Sequence, residues 1–168
     1  MNVMTKPKIQ TGGVMVFARS RMAASLLSQQ VRERQFSKCY LAAVHGTPQP
    51  QSGEMRDLLG RDSVRRVTYV ADTPSADTRE ALLTYETLDT ADGLSLVRVQ
   101  LHTGRTHQIR VQFSSRGLPL LGDIRYGSKA DCSPALWSTR LALTHPVTGK
   151  PIDVACPPPD AWPWNLFA

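Results

Sequence analysis

The sequence predicts an α+β fold with a mixed, mostly antiparallel sheet and flanking helices. Two observations carry this. Short strand-like runs are joined by hairpin turn chemistry, as at Asp92-Gly93 and Thr148-Gly149, and only two stretches read as good helices. The 168 residues, 41% hydrophobic and 20% charged, suit a single soluble domain able to bury a real core.

From the N-terminus, Gly13 to Phe17 (GVMVF) is a short buried-strand candidate. Ser20 is placed to cap a helix running to about Arg34, with Ala23, Leu26, Leu27 and Val31 on one face. Lys38 to Val44 reads as a second strand, and Pro48 to Gly53 as a turn-rich connection. Val67 to Val70 is a further strand candidate behind the basic residues Arg61, Arg65 and Arg66. Ala81 to Leu88 and Leu94 to Leu101 alternate well around Asp92-Gly93, so they predict a hairpin. Thr106 to Arg116 predicts a helix ended by Gly117 and Pro119. Leu120 to Tyr126 reads as an irregular loop. Arg140 to Thr144 and Ile152 to Ala155 predict a last hairpin, and the Pro- and Trp-rich tail an irregular packed arm.

The net charge of +6 and a sequence pI of about 9.6 favour polyanionic partners, above all nucleic acid. Cys39, Cys132 and Cys156 are far apart and form no CxxC pair, which argues against a zinc site or a disulfide framework and for reduced thiols. No apolar run approaches the roughly 20 residues of a membrane span, and MNVMTKPKIQ has no signal-peptide apolar region. The expectation is a cytoplasmic protein with no membrane partner and no metal.

Leu101 to Arg110, LHTGRTHQIR, holds the densest chemistry. It gathers two arginines, two histidines, a glutamine and two threonines around Gly104, which permits a tight strand-to-helix turn. His107 and Arg110, three apart, are expected on one helix face, with Ile109 and Phe113 on a core-facing one. An arginine held rigidly beside apolar neighbours suits two-point binding of a carboxylate or phosphate. The same spacing also fits a structural arginine that ties a loop.

The flanks narrow the reading. TGGVMVFAR (Thr11 to Arg19), FSKCYLAAVHG (Phe36 to Gly46), EMRDLLGRD (Glu54 to Asp62), GLSLVRVQLHTGRTHQIRVQF, LPLLGDIRYG (Leu118 to Gly127) and THPVTGKPI (Thr144 to Ile152) occur in one order and spacing. Together they resemble the pseudouridine synthases of the large-subunit ribosomal (RluA) type, from about residue 11 to the end. The resemblance implies that family's catalytic core around a basic cleft. It also implies isomerisation of uridine to pseudouridine in structured rRNA or tRNA, with no metal and no organic cofactor. The target nucleoside would be flipped into the pocket.

The resemblance further implies a site. Tyr40 falls at the position of the tyrosine that stacks on the base, and Arg110 at that of the arginine that pairs with a catalytic aspartate. Arg105, His107 and Gln108 fall where the family lines its pocket and meets RNA. Arg61, Arg65, Arg66 and Arg116 are further RNA-binding candidates by their charge. The aspartate itself has no match: counting back from Thr11 to Gly13, Lys8 stands at its position. A lysine is a cation at neutral pH, with a reference pKa near 10.4, and cannot pair with Arg110. Arg110 is then expected to turn outward, or to bind phosphate or another carboxylate.

The expectations that follow are an N-terminally incomplete synthase-like single domain, with no accessory RNA-binding domain. It should lack an N-terminal edge strand, be monomeric, and be inactive or weak as written. The alternatives are a non-catalytic RNA-binding descendant of the family, an unusual chemistry at Lys8, and a protein-interaction domain using the Trp-rich tail.

Overall fold

The computed structural model describes residues 12–167. Lys8 and Thr11, on which the aspartate comparison turns, lie outside the described residues. The strands are β1 (Gly12–Gly13), β2 (Ser37–His45), β3 (Ser52–Asp62), β4 (Val67–Ala71), β5 (Arg79–Ala91), β6 (Leu94–Leu101), β7 (Leu136–Thr144) and β8 (Pro151–Ala155). The helices are α1 (Arg21–Arg32) and α2 (Gln108–Ser114), with short 3-10 turns at Ile124–Tyr126 and Trp164–Leu166. Among the described residues the strands form one sheet in the order β1-β7-β2-β6-β5-β3-β4, and β8 also pairs with β7. Every pairing is antiparallel except β1 with β7, so the fold is α+β with a mixed, mostly antiparallel sheet.

The strand expected over 13–17 stops almost at once. Gly12 and Gly13 pair with Trp137 and Ser138, but from Arg140 onward the same edge of β7 is taken by β8. The chain therefore leaves the sheet, and Met15 and Phe17 are exposed at 71% and 79%. The glycines are needed for the approach: a Cβ on Gly13, whose φ is +102°, would sit 2.1 Å from the Ser138 carbonyl oxygen.

Helix α1 begins as expected, with Ser20 Oγ accepting from the Ala23 N–H at 3.1 Å. Its predicted face is shallow, since Ala23, Leu26 and Leu27 are half-buried and Val31 is exposed. Gln30 does the anchoring instead. Its side-chain amide donates to the Thr144 carbonyl at 2.8 Å and accepts from the Thr144 N–H at 3.2 Å.

Strand β3 was not expected, because SGEMRDLLGRD lacks period-2 alternation. It lies next to the edge, between β4 and β5, and its charges find partners: Arg56 bridges Glu80 at 2.7 Å and Asp57 accepts from Gln112 at 2.6 Å. The β5–β6 hairpin forms at the predicted turn, with β5 extending two residues earlier and three later than the alternating core.

Helix α2 is shorter than expected and starts at Gln108, so His107 is its cap and not a helical residue. Its core face is as predicted. Ile109 and Phe113 join Val44, Leu83, Tyr85, Val97 and Val99 in the main cluster, while Val111 reaches Leu59, Ala81 and Tyr126. The tail closes the opposite sheet face, where Trp164, Leu166 and Phe167 pack with Ala43, Leu94 and Leu121. Among the described residues no helix is long and apolar enough to cross a membrane.

Candidate active site

A cavity of about 230 Å³ opens where β2, the ends of β6 and β7 and the start of α2 converge. Tyr40, Leu101, Arg105, His107, Gln108, Ile109, Arg110 and Leu136 line it. Five residues singled out from the sequence therefore meet in one place, although Tyr40 and Arg110 are 70 positions apart in the chain.

Tyr40 is aimed by the sheet. The β2–β7 register shifts between Cys39 and Tyr40, leaving Thr139 unpaired as a bulge. Such bulges re-aim side chains. Burial pushes the Tyr40 phenol up from its ordinary range, partly offset by a hydrogen bond with Ser138. Lys38 lies on the same face two residues earlier, over the Phe36 ring at 5.4 Å, and burial lowers its pKa.

The loop from 102 to 107 is braced by Gln108. That side chain is 2% exposed; its oxygen accepts from Thr103 Oγ1 at 2.8 Å and the Arg105 N–H at 3.0 Å, and its amide donates to the Leu82 carbonyl at 3.1 Å. Gln108 thus touches the cavity but spends both ends of its side chain on the protein. Arg105 is exposed at the rim, its Nε donating to the Glu80 carbonyl at 2.9 Å.

Arg110 does not turn outward. It is buried, and it meets Asp123 in a two-point ion pair: Nε donates to one carboxylate oxygen at 2.6 Å and a terminal nitrogen to the other at 2.7 Å. Asp123 is 1% exposed. The guanidinium also lies over the Tyr126 ring, 4.9 Å from its centroid. Among the described residues, the carboxylate that meets Arg110 is therefore Asp123. Asp123 itself lines a neighbouring hollow with Gly122, Arg125 and Cys132, while Arg110 borders both spaces.

His107 is held in the left-handed region at φ 54°, which only a constrained non-glycine adopts. Its pKa is lowered, first by burial and then by the positive charges of Arg110, Arg125 and Arg61, with Asp123 opposing. Arg61, exposed at the end of β3, does not line the cavity and is the weakest of these charges at His107. Arg65 and Arg66 are exposed in the β3–β4 turn, where Arg65 pairs with Asp62 at 3.8 Å. Arg116 is not on the cavity. It is bound at two points to Asp57, at 3.0 and 3.2 Å.

Asp123 and Tyr126 were not assigned a role from the sequence. Both lie in LGDIRYG, which reads as an irregular loop because no periodicity marks it. The usable signal was the Asp123 carboxylate and Tyr126 ring beside Arg125 in a short, glycine-bounded segment.

Residues 9–115 match the family model described as RNA pseudouridylate synthase. An uncharacterized RNA pseudouridine synthase of Mycobacterium tuberculosis is 34% identical over 158 residues, covering 90% of this chain and 50% of the relative. The RNA pseudouridine synthase YhcT of Bacillus subtilis, also uncharacterized, is 35% identical, with 89% and 50% covered. A chloroplastic RNA pseudouridine synthase 2 of Arabidopsis thaliana is 31% identical, with 89% and 42% covered. The chain spans about half the length of the curated relatives it matches. Among solved structures, human RNA pseudouridylate synthase domain containing 1 superposes with a TM-score of 0.73 at 25% identity, covering 88% of this chain and 64% of that one.

Proposed function

The chain belongs to the RNA pseudouridylate synthase family, and from that premise we propose that it binds structured RNA, ribosomal or transfer, at the Tyr40–Arg110 cavity but isomerises uridine weakly or not at all. The observation that carries this reading is the pairing of Arg110 with Asp123 on the wall of a cavity that also holds Tyr40. A flipped base can stack on Tyr40, which lines the cavity as a neutral phenol. Arg105 at the rim and Arg61 near His107 supply positive charge for the backbone.

Isomerisation needs a carboxylate at the sugar, and the available ones are poorly placed. Both oxygens of Asp123 are engaged by Arg110, and its side chain lines the neighbouring hollow and not the Tyr40 cavity. Lys8, at the aspartate position by counting, is a poor substitute. An amine would first have to lose its proton, which takes strong desolvation. The resemblance supplies no metal or organic cofactor for the step.

The test is RNA binding across a salt series. Parent protein should bind ribosomal or transfer RNA with an affinity that falls steeply as salt rises. Arg105→Ala combined with Arg61→Ala, both exposed, should lose most of it without breaking the buried Arg110–Asp123 pair. A parent chain that binds no RNA at any salt contradicts the reading and favours a protein-interaction role.

A further inference from the structure

The side chain that this reading leaves unused is Tyr126. Its hydroxyl oxygen accepts from the Thr68 backbone N–H at 2.9 Å and lies 2.8 Å from His107 Nδ1. Its ring stands edge-on to the imidazole, 5.6 Å away at 84°, and carries the Arg110 guanidinium on its face. It is 9% exposed, and its own carbonyl accepts from Ser114 Oγ at 2.6 Å, which ties the segment to α2. One buried ring therefore touches two basic groups of the cavity wall, His107 and Arg110.

The hydrogen-bond directions fix more than position. An amide N–H can only donate, so at Thr68 the tyrosine oxygen is the acceptor. The phenolic proton then needs an acceptor of its own, and Nδ1 is the one in reach. With the phenol donating to it, Nδ1 is the unprotonated nitrogen of a neutral ring and the imidazole proton sits on Nε2, the arrangement the proposal adopts. Among the described residues Nε2 makes no protein hydrogen bond. The ring lines the cavity, within the field of Arg61, Arg110 and Arg125. A donor set among guanidinium groups suits an anionic oxygen better than a neutral carbonyl.

We propose that Tyr126 is a positioning residue that locks His107 as its Nε2–H tautomer, and that this N–H, beside the Arg110 guanidinium, receives a phosphate oxygen of a bound nucleotide. The proposal rests on the RNA reading above for its ligand but not for its tautomer. It adds a second donor to the arginine and accounts for the strained backbone at His107, which is held where the hydroxyl can reach it.

The experiment is long-range proton–nitrogen NMR on the 168-residue protein labelled at histidine. In the parent, His107 should show an unprotonated Nδ1 and a protonated Nε2. Tyr126→Phe keeps the ring and removes the hydroxyl, so Nδ1 should shift toward the protonated form. A parent with protonated Nδ1, or a folded Tyr126→Phe protein with an unchanged tautomer, overturns the lock. Should Tyr126→Phe fail to fold, the parent spectrum alone decides. Uridine 5′-monophosphate, added as the probe, should shift the His107 Nε2 signal, and uridine should leave it in place. Equal shifts from both, or none from either, overturn the phosphate assignment. RNA binding without any His107 response would sink this inference and leave the RNA reading standing. The reverse, a correct tautomer with no RNA binding, would sink the RNA reading and with it the phosphate assignment.

Discussion

Arg110 and Asp123 face each other as a buried two-point ion pair, with N–O distances of 2.6 and 2.7 Å and side chains 7% and 1% exposed. The pair joins the cap of the sheet, through α2, to the loop that follows it. It also means that Arg110 needs no further carboxylate to be tolerated in the interior. A buried charge must be matched, and here the matching group comes from 13 residues downstream.

Asp123→Ala should therefore strand a buried guanidinium and destabilise the fold by about 3–5 kcal/mol, measured by urea unfolding. Arg110→Met with Asp123→Leu together should cost less than Asp123→Ala alone, since an apolar pair removes both charges. Equal or additive losses would show that the two side chains are not energetically coupled.

Arg105 and Arg116 should separate under the same assays. Arg116 is tied to Asp57, so Arg116→Ala should lower stability and change RNA affinity little. Arg105→Ala should leave stability nearly unchanged, weaken RNA binding uniformly across sequences, and reduce the salt slope by about 1. A reversed pattern would assign the phosphate contact to Arg116.

The contrast between these arginines marks where the sequence could and could not be read. Strand β6 was legible because Leu94 to Leu101 alternates beside an Asp-Gly turn. The core face of α2 was legible because Ile109 and Phe113 keep helical spacing. Strand β3 was not, because its charged residues are satisfied by Glu80, Gln112 and Arg116, partners from β5, α2 and the turn after α2 that no local pattern announces. The strand over 13–17 failed for a similar reason: β8, far downstream, occupies the edge it would have used. In the site, residue types and spacing brought His107 and Arg110 forward, and the family resemblance added Tyr40, Arg105 and Gln108. The partner of Arg110 and the bracing role of Gln108 depend on tertiary geometry that spacing alone does not specify.

His107 gives a pH dependence with a definite sign. Its folded pKa lies below the ordinary value near 6.5, so between the two values the unfolded chain binds the extra proton. Its contribution to stability is complete above about pH 6.5 and is lost as pH falls toward the folded pKa. Parent protein followed by urea unfolding from pH 7.5 downward should lose stability through that window, and His107→Gln should show a shallower loss. An unchanged slope in the variant would remove His107 from the account.

The most direct measurement is pseudouridine formation by the 168-residue chain on ribosomal and transfer RNA that it demonstrably binds. With Arg110 held by Asp123, and with Lys8 read at the aspartate position as proposed above, little or no product above the enzyme-free control is expected. Robust multiple turnover would contradict it.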